Sequence, residues 1–242
     1  MNKVLIADSV SSAVSEVFDK NGIAYDTKIG LSEDELATEI TEYSGLIVRS
    51  AVTVTEKIIN SAINLKVIGR PGVGVDNVDL KAATNNGIVV MNTPLGNVQA
   101  TAELTFGIMH SLMRKISNAN QSMHQKKWEK KKFIGNEMYG KTIGIIGFGN
   151  IGKKVSQIAH AYGMNVLVYS ASISPEDEKK FNVTNQSIDD ILEGADIITF
   201  HNKLSENSKY LINSNAITKM KKNAIIINCA RGGLVNEKDI KE

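Results

Sequence analysis

The segment from Lys141 to Ser170 constrains the fold most, because an apolar strand there runs through a glycine-rich turn into an amphipathic helix and a second strand. The turn, residues 147–152 with the sequence GFGNIG, has the G-x-G-x-x-G spacing of a dinucleotide fingerprint. Its first glycine permits a tight turn, its second lets a pyrophosphate approach, and its third lets the helix pack on the strand. A glycine turn without a ligand is the alternative. The flanking elements favour a dinucleotide bound at Gly147, Gly149 and Gly152.

The end of the second strand departs from that fingerprint. An Asp or Glu normally stands there and accepts hydrogen bonds from the adenosine ribose. Here the strand ends in Ser170, followed by Ala171 and Ser172. A serine hydroxyl can bond a ribose, but it carries no charge that would repel a 2′-phosphate. No arginine follows at once to attract such a phosphate. We therefore predict NAD as the cofactor, with Ser170 at the ribose, and leave NADP open.

Composition excludes several classes of partner. The chain has 242 residues and a formal net charge of +2, which gives room for two small domains and no bias toward a charged partner. For the basic cluster at 126–132, neither an aromatic platform nor a known motif supports nucleic-acid binding, so we interpret it as solvated surface and expect no nucleic acid. No apolar run approaches the ~18 residues of a membrane span. The single cysteine, Cys229, fits a reducing cytoplasm, and we predict no metal site.

Short apolar strands and helical patterns alternate along the chain, which is typical of doubly wound parallel sheets in an α/β fold. The longest helix is predicted from Val98 to Asn120 and would connect two domains, 1–97 and 98–242. Strands are predicted at Lys3–Ala7, Tyr25–Thr27, Gly45–Arg49, Val67–Gly69, Ile88–Met91, Thr142–Ile146, Val166–Tyr169, Phe181–Thr184, Asp196–Phe200 and Ala224–Cys229. A further helix is predicted to start at Asn236. Because a six-stranded dinucleotide domain needs more chain than this, we expect a fragment whose fold lacks its C-terminal part.

The chain resembles the D-2-hydroxyacid dehydrogenases in a series of short motifs that span nearly its whole length. They are IVRS at 47–50, GRPGVGVDNVD at 69–79, MNTPLGN at 91–97, AELT at 102–105, KWEKKKFIG at 127–135, GFGNIG at 147–152 and NCARGG at 228–233. The resemblance implies a Rossmann-type NAD domain that follows a flavodoxin-like substrate domain. It also implies oxidation of a D-2-hydroxy acid, with 3-phospho-D-glycerate giving 3-phosphohydroxypyruvate in serine biosynthesis, by a homodimer or homotetramer.

Arg231 is the predicted catalytic residue. It follows the last predicted strand, at the sheet edge where open α/β folds bind ligands. In the family the matching arginine grips the substrate carboxylate and polarises the neighbouring carbonyl. By the same resemblance, the substrate side would be lined by Arg49, Ser50, Val73, Gly74 and Asn97. The cofactor side would comprise Asn150, Ile151, His201, Asn202, Cys229, Ala230 and Arg231 itself.

Two departures from the family pattern leave a second hypothesis open. The family moves the hydroxyl proton with a histidine held by a carboxylate. None of His110, His124, His160 and His201 matches that histidine, so we expect the pair beyond Glu242 and little activity in the 242-residue chain. The usual Thr-Pro after His201 is replaced by Asn202 and Lys203. The alternative is therefore a catalytically inactive dinucleotide-binding regulator or remnant of the same fold.

Overall fold

Strands and α-helices alternate along residues 3–241, which the computed structural model describes. The strands are β1 (Lys3–Ile6), β2 (Ala24–Thr27), β3 (Gly45–Ile47), β4 (Val67–Arg70), β5 (Val89–Asn92), β6 (Thr142–Ile146), β7 (Asn165–Tyr169), β8 (Thr184–Asn185), β9 (Ile197–Phe200) and β10 (Ile225–Asn228). The helices are α1 (Ser12–Lys20), α2 (Glu33–Glu39), α3 (Glu56–Ser61), α4 (Leu80–Asn85), α5 (Val98–Met113), α6 (Ile116–His124), α7 (Asn150–Ala161), α8 (Pro175–Phe181), α9 (Ile188–Gly194) and α10 (Ser214–Lys219). No helix within this range is long and apolar enough to cross a bilayer.

The chain folds as two compact units, and the first ends at Asn97. Its five strands are parallel and lie in the order β2-β1-β3-β4-β5, which is the flavodoxin-like order. Leu5, Leu46 and Ile68 from the three central strands are fully buried and belong to one core with α2, α3 and α4. The predicted doubly wound parallel sheet is confirmed for this unit.

The second unit begins at Val98 and contains a second parallel sheet, in the order β10-β9-β6-β7-β8. Counted from β6, this is the 3-2-1-4-5 order of a Rossmann sheet, so the predicted fold class is confirmed here too. The direction of winding reverses between β6 and β9. Ligands of open parallel sheets bind at such a reversal, beyond the carboxyl ends of the strands. The topology thus points to the loops that follow β6 and β9.

The central strands of the second sheet are apolar on both faces because helices cover both faces. Ile145 of β6 and Ile197 of β9 are fully buried in a core shared with α5 and α7. Ile198, the next residue of β9, is fully buried on the opposite face in a core shared with α9 and α10. The ends of β6 and β9 are therefore held by packing from both sides.

The single helix predicted from Val98 to Asn120 is wrong, because the structure divides this segment into α5 and α6. Lys115 adopts the left-handed conformation between them, with φ of 53°. The Met113 carbonyl oxygen accepts a hydrogen bond from the Asn136 N–H at 2.9 Å instead of continuing the helical ladder. Gly135 lies so close to Met113 that a Cβ on it would overlap that carbonyl oxygen. A returning segment of chain therefore interrupts the helix, which the apolar periodicity of the helix itself cannot indicate.

Two predicted elements near the second sheet also differ. The strand predicted at Phe181–Thr184 lies at Thr184–Asn185, because α8 continues to Phe181 and ends at a left-handed Asn182. From Asn236 the chain forms turns rather than the predicted helix. Here the Asp239 carboxylate accepts a hydrogen bond from the Ser214 N–H at 2.7 Å, at the start of α10.

Candidate functional site

Four loops of the second unit lie at the carboxyl edge of its sheet, since each follows one of four neighbouring parallel strands. Residues 147–152 follow β6, Ser170 follows β7, His201 and Asn202 follow β9, and Cys229–Arg231 follow β10. Adjacent strands lie about 4.8 Å apart. This edge therefore brings together the residues that the sequence predicts to bind the cofactor, although they are far apart along the chain.

The glycine turn after β6 packs directly against the loop after β9. Gly147 has φ of 99°, and a Cβ on it would lie 2.5 Å from the Asn202 nitrogen and 2.6 Å from the His201 carbonyl carbon. A Cβ on Gly152 would overlap the Gly147 carbonyl oxygen. Both positions require glycine. Gly147 has a positive φ and a close backbone neighbour, and Gly152 lies where the start of α7 packs against the turn. The close contact between Gly147 and Gly152 thus places the first turn of α7 directly after the glycine turn.

Gly149 leaves open space at the start of α7. It is the N-cap residue, and a Cβ on it would meet nothing within 4 Å. Other helices are capped by serine side chains, such as Ser32 and Ser187, whereas no side chain caps α7 within the described residues. The first N–H groups, from Asn150 and Ile151 onward, are therefore left for a ligand. Open space, free donors and the helix dipole are what a pyrophosphate requires.

Two buried polar atoms next to this turn have no hydrogen-bond partner among residues 3–241. They are Nδ1 of His201 and Oδ1 of Asn202. The rest of each group is engaged, since His201 Nε2 lies 3.1 Å from Thr199 Oγ1 and Asn202 Nδ2 donates to the Lys203 carbonyl at 3.0 Å. A buried polar atom without a partner costs about 1–3 kcal/mol. Both atoms therefore mark a place that favours a polar ligand.

His201 is neutral at physiological pH. Burial lowers the pKa of its imidazole from 6.5 to about 4, because the charged form would lose its hydration. Its backbone N–H donates to the Ile146 carbonyl at 2.8 Å, which extends the pairing of β9 with β6 by one residue. The uncharged ring is thus fixed beside the glycine turn, and its Nδ1 is available for a hydrogen bond.

Asn228 shapes the loop that carries Arg231. Its Nδ2 donates to the Arg231 carbonyl at 2.8 Å, and its Oδ1 accepts from the Ala230 N–H at 3.0 Å. The guanidinium donates to the Ala230 carbonyl at 2.8 Å. Cys229 and Ala230 pack against the two cores of this unit, while Arg231 is exposed. A guanidinium held at this edge presents the paired donors that a carboxylate binds.

Ser170 follows β7 directly, and Asn185 of β8 fixes its backbone. The Ser170 N–H donates to Asn185 Oδ1 at 3.0 Å, and Asn185 Nδ2 donates back to the Ser170 carbonyl at 3.2 Å. Ser170 Oγ accepts a long hydrogen bond of 3.4 Å from the Ser172 N–H. The hydroxyl therefore stands at the strand end where dinucleotide folds hold the adenosine ribose.

In the first unit, the buried carboxylate of Asp8 organises the loop that carries Arg49 and Ser50. One of its oxygens accepts from the Arg49 N–H at 2.9 Å and from the Ala51 N–H at 3.0 Å. The other accepts from the Ser9 N–H at 2.7 Å. Arg49 and Ser50 are exposed at the carboxyl edge of this sheet. The Arg49 side chain also donates to the Ser9 carbonyl at 3.3 Å.

The loop with Val73 and Gly74 follows β4, the neighbour of β3, so it lies at the same edge as Arg49. Asn92 Nδ2 donates to the Val73 carbonyl at 2.7 Å, which ties this loop to the end of β5. Asn97 is exposed and is the last residue of the first unit. The first unit thus places Arg49, Val73 and Gly74 on neighbouring loops and Asn97 farther along the chain.

A cavity of about 240 Å³ lies elsewhere in the first unit, between the starts of α2 and α3. Leu31, Glu33 and Val52 are among its lining residues. Its lining includes none of the predicted substrate or cofactor residues. We therefore do not place the candidate site in this cavity.

Several polar residues that shape these loops escaped the sequence prediction. They are Asp8, Asn92, Asn185 and Asn228. Each stands at or next to the end of a parallel strand, and each bonds backbone of a loop at the carboxyl edge. A polar side chain in that position is the signal that could have indicated them.

The described residues fit a dinucleotide. Gly149 leaves room for a pyrophosphate, α7 supplies uncapped N–H groups, and His201 and Asn202 offer unpartnered polar atoms beside the same turn. Ser170 supplies a hydroxyl at the ribose end. No group of three or more histidine, cysteine, aspartate or glutamate side chains within 3–241 could hold a metal ion.

Comparison with known proteins gives concordant results. A family model described as D-isomer specific 2-hydroxyacid dehydrogenase, NAD binding domain, matches residues 106–242. The D-3-phosphoglycerate dehydrogenase of Homo sapiens is 45% identical over 237 residues, which cover 98% of this chain and 44% of that protein. The enzyme of the same name from Bacillus subtilis (strain 168) is 42% identical over 244 residues, covering 100% and 46% respectively. The chain thus spans less than half the length of these relatives.

A solved structure supports the same fold. The TT0316 protein from Thermus thermophilus superposes with a TM-score of 0.89 at 29% sequence identity. The superposition covers 98% of this chain and 76% of that one. The similarity therefore extends through both units of the chain and not only through the glycine turn.

Proposed function

Because the chain belongs to the family of D-isomer specific 2-hydroxyacid dehydrogenases, we propose that the protein oxidises a D-2-hydroxy acid with NAD. The proposed substrate is 3-phospho-D-glycerate and the product is 3-phosphohydroxypyruvate, as a step of serine biosynthesis. The names of relatives at 42–45% identity support this choice. The observation that carries the proposal is the shared sheet edge of the glycine turn, His201 and Arg231.

NAD, when bound, would take up the hydride from the carbon that bears the hydroxyl, and the hydroxyl proton would pass to a general base such as the histidine that the family uses. The N–H groups at the start of α7 bind the pyrophosphate, and Gly149 keeps the space that it needs. The Ser170 hydroxyl bonds the adenosine ribose. Asn202 Oδ1 and His201 Nδ1 supply hydrogen-bonding positions beside the glycine turn, and the neutral imidazole adds no charge there.

Arg231 binds the substrate carboxylate and stabilises negative charge on the neighbouring oxygen during oxidation. Arg49 binds a second anionic group, which in 3-phospho-D-glycerate is the phosphate. The backbone N–H groups around Val73 and Gly74 add donors to an anion. The hydrogen bonds that Asp8 accepts from the Arg49 loop, and the one that Asn92 donates to the Val73 loop, keep both loops in place.

We further propose a cytoplasmic homodimer or homotetramer. One face of α5 exposes Leu104, Ile108 and Leu112, with exposed fractions of 56%, 41% and 54%. These residues are four positions apart and form one stripe, while the opposite face of the same helix is buried in the core. A second copy that covers this stripe would account for its apolar character. The single cysteine supports a reducing compartment.

The proposed role of Arg231 is tested in the natural full-length protein, with the variants Arg231→Lys and Arg231→Ala. NADH formation from 3-phospho-D-glycerate should fall at least about 100-fold in kcat/KM, since a lysine cannot reproduce the paired donors. The affinity for NADH should fall far less than kcat/KM, because the contacts predicted at the glycine turn and at Ser170 remain when Arg231 is changed. Arg114→Lys, at an exposed position between α5 and α6, is the matched control. Turnover that persists in Arg231→Ala would remove this residue from the mechanism.

The same assay separates the second candidate function. Ser170 and the Asn202-Lys203 pair, which depart from the family pattern at the cofactor edge, favour a dinucleotide-binding regulator without turnover. That candidate predicts saturable NADH binding by the wild-type protein and no NADH formation from any D-2-hydroxy acid. Substrate-dependent NADH formation would exclude it.

A further inference from the structure

The ribose end of the candidate site lacks the charge that usually selects NAD. In NAD-binding folds an aspartate or glutamate after the second strand bonds the ribose hydroxyls, and its charge disfavours a 2′-phosphate. The corresponding residue here is Ser170, and Ala171 and Ser172 follow it. A hydroxyl can donate to a phosphate oxygen as readily as it bonds a ribose hydroxyl. A serine at position 170 therefore does not repel a 2′-phosphate, and it can still form a hydrogen bond with the ribose or with the phosphate.

The neighbour of Ser170 is also uncharged and is fixed. Asn185 bonds both the N–H and the carbonyl of Ser170, at 3.0 Å and 3.2 Å. Through these two hydrogen bonds the Asn185 side-chain amide lies against the Ser170 backbone, and an amide has no net charge. It also holds the Ser170 backbone in place. An aspartate substituted at position 170 would therefore have its Cα at the same position as the serine.

Two of the three carboxylates in the first turn of the nearby helix α8 are paired, one with an ammonium group and one with the backbone of Asn185. Asp177 pairs with the ammonium of Lys153 at 2.8 Å, and Glu178 accepts from the Asn185 N–H at 2.6 Å. Lys153 and Lys180 each lie 5.7 Å from the centre of the Phe181 ring. Two ammonium groups thus lie beside the three carboxylates on this side and offset part of their charge.

These cations also stand next to the nucleotide turn. Phe181 packs edge-on against Phe148, which belongs to the glycine turn, with ring centres 5.6 Å apart. Lys153 lies on α7, the helix that begins at that turn. The surroundings of the ribose end therefore carry positive as well as negative groups, in contrast to the single dominant carboxylate of an NAD-selective site.

We infer that the second unit binds NADP(H) nearly as well as NAD(H), and that Ser170, held by Asn185, is the residue that permits both. The inference rests on the proposed dinucleotide site and refines its specificity. The ligand class is a nicotinamide dinucleotide with or without a phosphate on the 2′-oxygen of the adenosine ribose.

The test compares the dissociation constants of NADH and NADPH by nucleotide fluorescence, in the wild-type chain, Ser170→Asp and Ser170→Asn. The wild-type constants should agree within about tenfold. Ser170→Asp should retain NADH and weaken NADPH at least about 100-fold, because like charges in contact are strongly unfavourable. Ser170→Asn introduces a side chain of nearly the same size as aspartate without the charge, and should leave the ratio of the two constants close to that of wild type. Thermal unfolding of all three proteins checks that they are folded.

Two results would overturn the inference while leaving the proposed function intact. One is a wild-type chain that binds NADH but discriminates against NADPH by more than about 100-fold. The other is an unchanged affinity of Ser170→Asp for NADPH, which would show that the position does not face the 2′-phosphate. Binding of neither nucleotide by the folded wild-type chain would instead overturn the proposed function, and the inference with it.

Discussion

His201 is kept neutral by burial, with a single weak polar neighbour at Thr199 and an unpartnered Nδ1. An imidazole in such a place has no counter-charge to stabilise its protonated form. Its contribution at the candidate site is therefore a fixed shape and one hydrogen-bonding nitrogen. Its position depends on β9 and on the close contact of the Gly147 backbone with the His201–Asn202 backbone.

Burial of His201 makes the stability of the folded chain depend on pH. Its pKa is about 4 in the folded chain against 6.5 as the ordinary value, so between these values the unfolded chain binds more protons. The free energy of unfolding should therefore decrease as the pH falls from about 6.5 to about 4. His201→Gln lacks this contribution, so the advantage of wild type over the variant should shrink toward acid pH in urea titrations.

His124→Gln, which removes an exposed imidazole from α6, is the matched control for the loss of a histidine. A difference between wild type and His201→Gln that stays constant from pH 7 to pH 4 would contradict the burial of a neutral imidazole. Comparison of variants is required because carboxylates also titrate near the lower end of this range.

Single residues differ in how well the sequence indicates their place. The roles of the motif glycines could be predicted from their spacing. Gly147 and Gly152 stand where a side chain would overlap the backbone, and such a requirement is visible in the sequence as a glycine at a fixed position. Asn185 was not, since its partner Ser170 follows a different strand and an asparagine is common in any loop. Such side-chain-to-backbone bonds between strands depend on the register of the sheet, which one sequence does not contain.

At the scale of elements, the break between α5 and α6 shows how tertiary contact overrides periodicity. Nothing in the apolar pattern from Val98 to Asn120 demands an interruption. The Asn136 N–H bonds the Met113 carbonyl, and Gly135 allows this close approach. Other helices begin at local caps that a sequence alone can indicate, as with Ser32 before α2 and Ser187 before α9.

The break predicts a specific cost for a methyl group at Gly135. In Gly135→Ala the new Cβ would overlap the Met113 carbonyl oxygen, so one of the two segments must move. The free energy of unfolding should decrease by about 1–3 kcal/mol in urea titrations. Gly107→Ala, in the middle of α5 where a Cβ meets nothing within 4 Å, should leave stability unchanged or raise it. Equal stability of the two variants would contradict the close contact.

At the scale of the whole molecule, the alternation of strands and helices was sufficient to predict two parallel sheets. The strand orders then follow the two most common doubly wound patterns, and these put the predicted residues of both sets, apart from Asn97, at or near carboxyl edges. The candidate site of the second unit was largely predictable for this reason. The unpartnered state of His201 Nδ1 and Asn202 Oδ1 was not, because it depends on how closely β9 and the glycine turn approach.

The exposed stripe on α5 predicts self-association. Sedimentation velocity should give a dimer or larger species for the wild-type chain, and the double variant Leu104→Glu, Leu112→Glu should shift it to monomer, since charges in the covered face lose hydration. Ile63→Glu, at a residue 82% exposed in the first unit, should leave the assembly unchanged. A monomeric wild-type chain at the concentrations used for NADH binding would contradict the proposed assembly.

The most direct test of the central claim is a fluorescence titration of the 242-residue chain with NADH, in wild type, Gly149→Ala and Gly107→Ala. Gly149 has φ of −78° and open space around its Cβ direction, so alanine there should fold normally. The methyl group would occupy room that the pyrophosphate needs. We expect saturable binding by wild type and Gly107→Ala, and at least about tenfold weaker binding by Gly149→Ala. Absence of saturable NADH binding by wild type, or equal binding by Gly149→Ala, would contradict a dinucleotide site at this turn.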